Sequence, residues 1–187
     1  MQTAFLALFF FLFAFATAED TVLDTDGNPV ANGSQYYMLP ATKETGGGFK
    51  FTRTENEKCP LSVVQASSEL SKGLPVIISP RQGKDIIPTG WYVDVQFVKA
   101  PNCAPKPSVW CVPPDSYSVK IRTDGRFSSD FTIEKASEDG YKFMHCPSHP
   151  RSCREIGIVI DEGKNRLLKR GGENPLIVRF KKAKAQN

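Results

Sequence analysis

The sequence predicts an all-β fold, and three observations carry that reading. Helical periodicity is almost absent from Glu19 onward. Short alternating apolar runs recur instead, divided by Gly, Pro and Asp. A faint repeat orders them. Gly33 precedes Tyr36-Tyr37-Met38-Leu39, Gly90 precedes Trp91-Tyr92-Val93, and Gly140 precedes Tyr141-Lys142-Phe143, at spacings of 57 and 50 residues. A glycine leading into an aromatic strand three times suggests three structural thirds. With about twelve short strands, the expected architecture is a β-trefoil of three pseudo-repeats.

The chain has 187 residues, enough for one domain with a core. Its first segment stands apart. Phe5 to Phe15 is an unbroken apolar run, and Ala16-Thr17-Ala18 is a small-x-small cleavage site. Residues 1–18 therefore read as a secretory signal peptide, and 19–187 as one β-trefoil domain. The run is short for a spanning helix, which needs about 20 apolar residues. No later stretch is long enough to span a bilayer, so the mature chain is expected to be secreted, with no membrane partner.

Candidate strands follow in order near Tyr36–Leu39, Phe49–Arg53, Ser62–Gln65, Val76–Ser79, Trp91–Phe97 and Trp110–Val112. Others lie near Tyr117–Arg122, Phe131–Lys135, Tyr141–His145, Ile156–Ile160, Arg166–Lys169 and Leu176–Lys181. In Tyr117-Ser118-Val119-Lys120-Ile121-Arg122 the alternation is strict.

Composition excludes several functions. The formal net charge is +4, mildly basic. Arg179, Lys181, Lys182 and Lys184 are sparse in aromatics, so no nucleic-acid partner is expected. Gly46-Gly47-Gly48 lacks the lysine and helix start of a phosphate loop. There is no Gly-x-Ser-x-Gly elbow, and the two histidines, His145 and His149, flank a cysteine pair. Two His and two Cys between His145 and Cys153 resemble zinc ligands, but such cysteines in an oxidising compartment form a disulfide. Asp130, Glu134, Glu138, Asp139, Asp161 and Glu162 sit at strand ends and turns, where carboxylates suit a solvated surface. The chain is therefore read as no enzyme, with no metal and no cofactor. Glycoside hydrolysis is the remote alternative.

Five cysteines lie in the mature chain: Cys59, Cys103, Cys111, Cys146 and Cys153. Cys146 and Cys153 can close a short local loop, and Cys59 can pair with Cys111 or Cys103. One cysteine is left over, as a thiol or as a bridge to a second chain. Asn32-Gly33-Ser34 is a glycosylation sequon and also a turn signal.

The stretch of greatest functional interest is Ile78 to Pro88, a polar basic segment between two apolar strands. It reads as an exposed loop fixed at both ends, with Pro80 and Pro88 limiting its freedom. A pre-organised loop carrying Arg81 and Lys84 suits the acidic primary pocket of a trypsin-like protease. Binding of this kind needs no catalytic group in the inhibitor.

Four ordered motifs resemble one family. They are Leu23-Asp24-Thr25-Asp26-Gly27-Asn28-Pro29-Val30 with Asn32-Gly33 and Tyr36 to Leu39; Lys58-Cys59-Pro60-Leu61-Ser62-Val63-Val64-Gln65; Cys146-Pro147 to Cys153 with Ile156-Gly157-Ile158; and Asn174 to Phe180. Together they resemble the plant Kunitz soybean trypsin inhibitor family across Glu19 to Lys182. The resemblance implies a β-trefoil and a serine protease partner, trypsin-like above all. It implies disulfides Cys59–Cys111 and Cys146–Cys153, with Cys103 unpaired. A monomer is then expected, with a dimer through Cys103 as the alternative. It places the reactive loop at Ser79, Pro80, Arg81, Gln82, Gly83, Lys84, Asp85 and Ile86, with Lys84 or Arg81 as the primary residue. Asn32 is the implied brace beneath that loop, and a glycan on Asn32 would compete with bracing. The chain departs from the pattern within the loop. Aligned forward, the scissile residue falls at Gln82; aligned backward, it falls at Gly83 or Lys84. The loop reads as one residue longer, and Asp85 follows Lys84. The expectation is a secreted, extracellular or vacuolar, plant inhibitor. The alternative is a non-inhibitory trefoil with a storage, stress or other binding role.

Overall fold

The structure, a computed structural model, describes residues 20–54, 57–59, 61–104, 106–122, 129–147 and 152–184. The expected signal segment and His149 lie outside the described residues. Among the described residues there are thirteen strands and no α-helix. They are β1 (Gln35–Pro40), β2 (Phe49–Thr52), β3 (Ser62–Gln65), β4 (Val76–Pro80), β5 (Tyr92–Phe97), β6 (Ser108–Cys111) and β7 (Lys120–Ile121). After them come β8 (Phe131–Ser137), β9 (Gly140–His145), β10 (Arg154–Ile160), β11 (Arg166–Arg170), β12 (Asn174–Pro175) and β13 (Ile177–Lys182).

Six strands close a barrel. β1 pairs β4, β4 pairs β5, β5 pairs β8, β8 pairs β9, β9 pairs β13, and β13 returns to β1, all antiparallel. Closure leaves no strand edge among these six. Three further hairpins, β2–β3, β6–β7 and β10–β11, pair with one another through β3–β7, β3–β11 and the Ser118–Lys169 bridge. Each third of the chain thus gives two strands to the barrel and one hairpin to the cap. That is a β-trefoil. Gly33, Gly90 and Gly140 lead into β1, β5 and β9, the first barrel strand of each third.

Alternation in the strands builds the core. In β5 Val93, Val95 and Phe97 are buried while Tyr92, Asp94 and Gln96 are partly exposed. Val22, Val30, Ile78, Ile87, Val93 and Val95 are 0% exposed. Each such side chain contributes about 1.5–3 kcal/mol on burial. In the cap Trp110 meets Phe49 and Phe97 at ring separations of 6.3 and 5.3 Å.

Two strand expectations change. The run Tyr117–Arg122 shrinks to β7, because its backbone groups serve other hairpins. Val119 N–H bonds Leu168 O at 2.8 Å, and Arg170 N–H bonds Tyr117 O at 2.8 Å. The thirteenth strand, β12, is a two-residue pairing of Asn174 and Pro175 with β10.

The cysteine pairing needs a correction. Cys59 bonds Cys103, not Cys111, and Cys146 bonds Cys153. Cys111 belongs to neither bridge. It lies in β6, whose four residues are all buried, and is itself 1% exposed. Cys59 and Cys103 lie in the two connections β2–β3 and β5–β6, with Cα atoms 5.8 Å apart. Glu57 organises the Cys59 connection. Its carboxylate accepts bonds from Thr54 N–H, Ser62 Oγ and Lys120 Nζ, the last at 2.8 Å. The idea of a dimer through Cys103 falls with this pairing, because Cys103 is used within the chain.

Candidate functional site

The segment after β4 is the exposed feature that the sequence singled out. β4 and β5 pair as far as Ser79–Asp94 and Pro80–Val93. Pro80 is buried, while every residue from Arg81 to Ile86 is exposed. The chain must turn just beyond Pro80. Gly83 N–H bonds Pro80 O at 3.2 Å, and Gly83 holds φ 69°. No heavy atom lies within 4 Å of where a Cβ would stand. Backbone conformation, not space, therefore calls for glycine here. Arg81 N–H, bonded to Tyr92 O at 3.0 Å, fixes the start of the turn.

The second leg, Lys84 to Pro88, is zipped onto the N-terminal segment. Asn32 Nδ2 donates to Lys84 O at 3.0 Å, and Asn32 N–H donates to Asp85 O at 2.8 Å. Ala31 bridges Ile86, and Thr21 bridges Pro88. Ile87 plugs the leg into the core at 0% exposure, its N–H bonded to Val30 O. Ala31 N–H in turn bonds the Tyr36 hydroxyl, so the bracing segment is itself held.

The two basic side chains are treated differently. Arg81 lies back on the barrel. Its Nη1 is 3.1 Å from Asp130 Oδ1, its Nε is 3.6 Å from Asp94 Oδ1, and its guanidinium is 5.3 Å from the centre of the Tyr92 ring. Ser129 Oγ donates to the same Asp94 oxygen, and the Tyr92 hydroxyl reaches Cys146 O at 3.3 Å. Lys84 has its ammonium 5.1 Å from the centre of the Trp91 ring. An exposed cation–π contact contributes about 0.5–1 kcal/mol. The cluster around Arg81 was not read from the sequence. Its signal was Asp94, an acid at an outward position of an apolar alternating strand.

His145 follows this cluster in the fold. It pairs with Phe131, its ring is 5.3 Å from that ring, and it is 3% exposed. Burial, and then the charge of Arg170, lower its pKa from 6.5 to about 4, with Asp130 opposing. A neutral, buried imidazole beside a disulfide is no general base for the loop. Among the described residues no cluster of His, Cys, Asp and Glu is arranged to hold a metal. No helix of the described residues is long and apolar enough to cross a membrane.

Comparison with known proteins extends this geometry. The legume Kunitz family model, described as trypsin and protease inhibitor, matches residues 22–182. Trypsin inhibitor BvTI of Bauhinia variegata is 54% identical over 169 residues, covering 88% of this chain and 97% of the relative. Trypsin inhibitor DE-3 of Erythrina latissima is 39% identical over 168 residues, covering 86% and 97%. Soybean trypsin inhibitor, solved in complex with porcine pancreatic trypsin, superposes with a TM-score of 0.77 at 36% identity, covering 88% of this chain and 100% of that one. The β-trefoil, the ordered motifs and these matches agree: the chain belongs to the legume Kunitz family of trypsin and protease inhibitors, a family of inhibitors and not of enzymes.

Proposed function

We propose that this chain is a secreted inhibitor of trypsin-like serine proteases, acting through Ser79–Ile86 with Lys84 in the acidic primary pocket. The observation that carries the reading is the asymmetry of the loop. Arg81 is committed to Asp94, Asp130 and Tyr92, whereas Lys84 is anchored through its carbonyl and extends its side chain over Trp91. Entry into an acidic pocket gives the Lys84 ammonium a charge-assisted contact. The loop is already ordered, so little conformational entropy is lost on docking.

The same brace bears on hydrolysis. A scissile carbonyl must face the protease oxyanion hole. Asn32 draws the Lys84 carbonyl toward the scaffold, so attack on the Lys84–Asp85 bond must first break that hydrogen bond. The loop is thus a poor substrate for the enzyme it blocks. Export fits the apolar segment Phe5–Phe15 and the two disulfides. No cofactor enters the mechanism.

A second reading, a trefoil that binds without inhibiting, is favoured by one feature. The Pro80–Gly83 turn departs from the extended backbone of a protease substrate. Titration of trypsin, chymotrypsin, subtilisin and papain with the mature chain separates the two. The inhibitor reading expects stoichiometric loss of trypsin activity. No loss with any of the four at micromolar chain would leave the non-inhibitory reading.

A further inference from the structure

We infer that the cap carries a binding cleft for an acidic polysaccharide, lined by Tyr117, Arg154, Lys169 and Arg170. The fold brings these residues together from three segments. Ile156 pairs with Arg170 in the β10–β11 hairpin, which sets the first residue of β10, Arg154, at the same end as Arg170. Ser118 bridges Lys169, and Arg170 N–H bonds Tyr117 O, which brings the tyrosine alongside. The cleft has a volume of about 560 Å³, and no carboxylate is among its lining residues. Two acids adjoin the lining in sequence, Glu155 beside Arg154 and Glu173 beside Gly172, and Asp161 lies within electrostatic reach of Lys169. The Glu155 backbone carbonyl accepts Gly171 N–H at 2.7 Å.

Glycines open the floor. Gly171 holds φ 72°, and a Cβ on Gly172 would stand 2.7 Å from the Gly157 backbone. Gly172 thus packs directly on the Gly157 backbone, and the positive φ of Gly171 favours glycine there, so both positions of the floor lack a side chain. Above that floor Tyr117 is 69% exposed, far more than a residue of this size needs for packing. Arg170 is held in place by donating from Nη2 to Ser152 O at 3.0 Å, and Arg154 Nη1 reaches Cys153 O at 3.3 Å. The Cys146–Cys153 disulfide thereby steadies both guanidinium groups.

The chemistry selects the ligand. Three cations without a lining acid attract an anion, and two guanidinium forks suit carboxylate or sulfate oxygens. One exposed aromatic face offers a platform for one ring. Single-stranded nucleic acid uses several stacking rings along a basic groove, which this cleft lacks. A chain of uronate sugars has both required parts, a flat apolar ring face and a carboxylate on each residue. The cleft shares no residue with Ser79–Ile86, so such binding leaves the protease loop open.

The test is binding of the mature chain to polygalacturonate, with heparin as the sulfated arm and dextran as the neutral control. Binding should fall steeply with added salt. R154S/K169S should weaken it roughly tenfold or more, as loss of two charge-assisted contacts implies. Y117A should weaken it with no change in net charge. K181S/K182S, which removes two charges elsewhere, should have little effect. Trypsin inhibition should be unchanged in all these variants, which also reports that they fold. Equal weakening by K181S/K182S and R154S/K169S would overturn the cleft in favour of general charge. Absence of binding to both anionic polymers, or tighter binding to an oligonucleotide, would overturn the polysaccharide.

Discussion

The two legs of the loop carry the same kind of residue to opposite ends. On the first leg, Pro80 to Gly83, the scaffold takes hold of the side chain. Arg81 lies between Asp94 and Asp130 on the face of Tyr92, and the backbone turns sharply at Gly83. On the second leg, Lys84 to Pro88, the scaffold takes hold of the backbone. Asn32, Ala31 and Val30 bond it in sequence, and the Lys84 side chain lies over the Trp91 ring. A loop presents a side chain by anchoring the main chain beneath it. Anchoring the side chain itself turns a cation into a strut.

The comparison breaks most directly at Lys84. In K84A the cation that fills the primary pocket is gone. Truncation of a central charged anchor costs about 4 kcal/mol or more, so the inhibition constant for trypsin should rise by about a thousandfold. The barrel itself should keep its melting temperature.

Next in size is a change in the scaffold shared by both legs. The Cys59–Cys103 bridge closes a separation of 44 residues, and chain entropy assigns it about 4 kcal/mol. C103S should lower the midpoint of chemical unfolding accordingly. Inhibition at low temperature should persist, because neither leg touches that bridge. Non-reducing peptide mapping of the native chain should recover Cys59 with Cys103, and Cys111 with neither.

N32A removes the brace of the second leg alone. A lost side-chain hydrogen bond and a loosened loop together cost about 2 kcal/mol, which raises the inhibition constant roughly thirtyfold. Its sharper signature is chemical. With the Lys84 carbonyl released, trypsin should cut after Lys84 faster than in the parent, visible as a two-part loop by mass spectrometry.

The first leg should be less sensitive. Exposed ion pairs contribute about 0–1 kcal/mol each, so R81A should alter inhibition by less than about tenfold. Acid sharpens the same point from below. The depressed pKa of His145 means that the folded state binds fewer protons than the unfolded state between about 4 and 6.5. Stability therefore falls as pH drops through that window and is retained above it. His145 pairs with Phe131, next to Asp130, so the Arg81 leg should loosen first. Protection factors of the Arg81 and Gly83 amides, taken relative to the intrinsic exchange rate at each pH, should fall below pH 6.5 before that of Asn32, whose N–H holds the second leg.

Much of this was legible in the sequence. Period-two alternation marked the barrel strands, since a closed barrel has an inner face to fill at every second residue. The three glycines before aromatic strands marked the thirds. Asn32 as a brace came with the family resemblance, and the loop came from its polarity between two apolar runs. The rest needed three dimensions. Cys103 and Cys111 are equally plausible partners for Cys59 until β6 is known to turn Cys111 inward. The role of Arg81 depends on Asp130, which is 49 residues away in the chain. Tyr117 looked like part of a strand, yet its backbone serves a neighbouring hairpin and its ring stands in the open.

The central claim is that main-chain anchoring makes Lys84, not Arg81, the residue that a protease grips. Inhibition constants for K84A and R81A, measured side by side against trypsin with the parent chain, test it directly. A loss of about a thousandfold in K84A and less than about tenfold in R81A is the predicted result. Equal losses, or a greater loss in R81A, would contradict it.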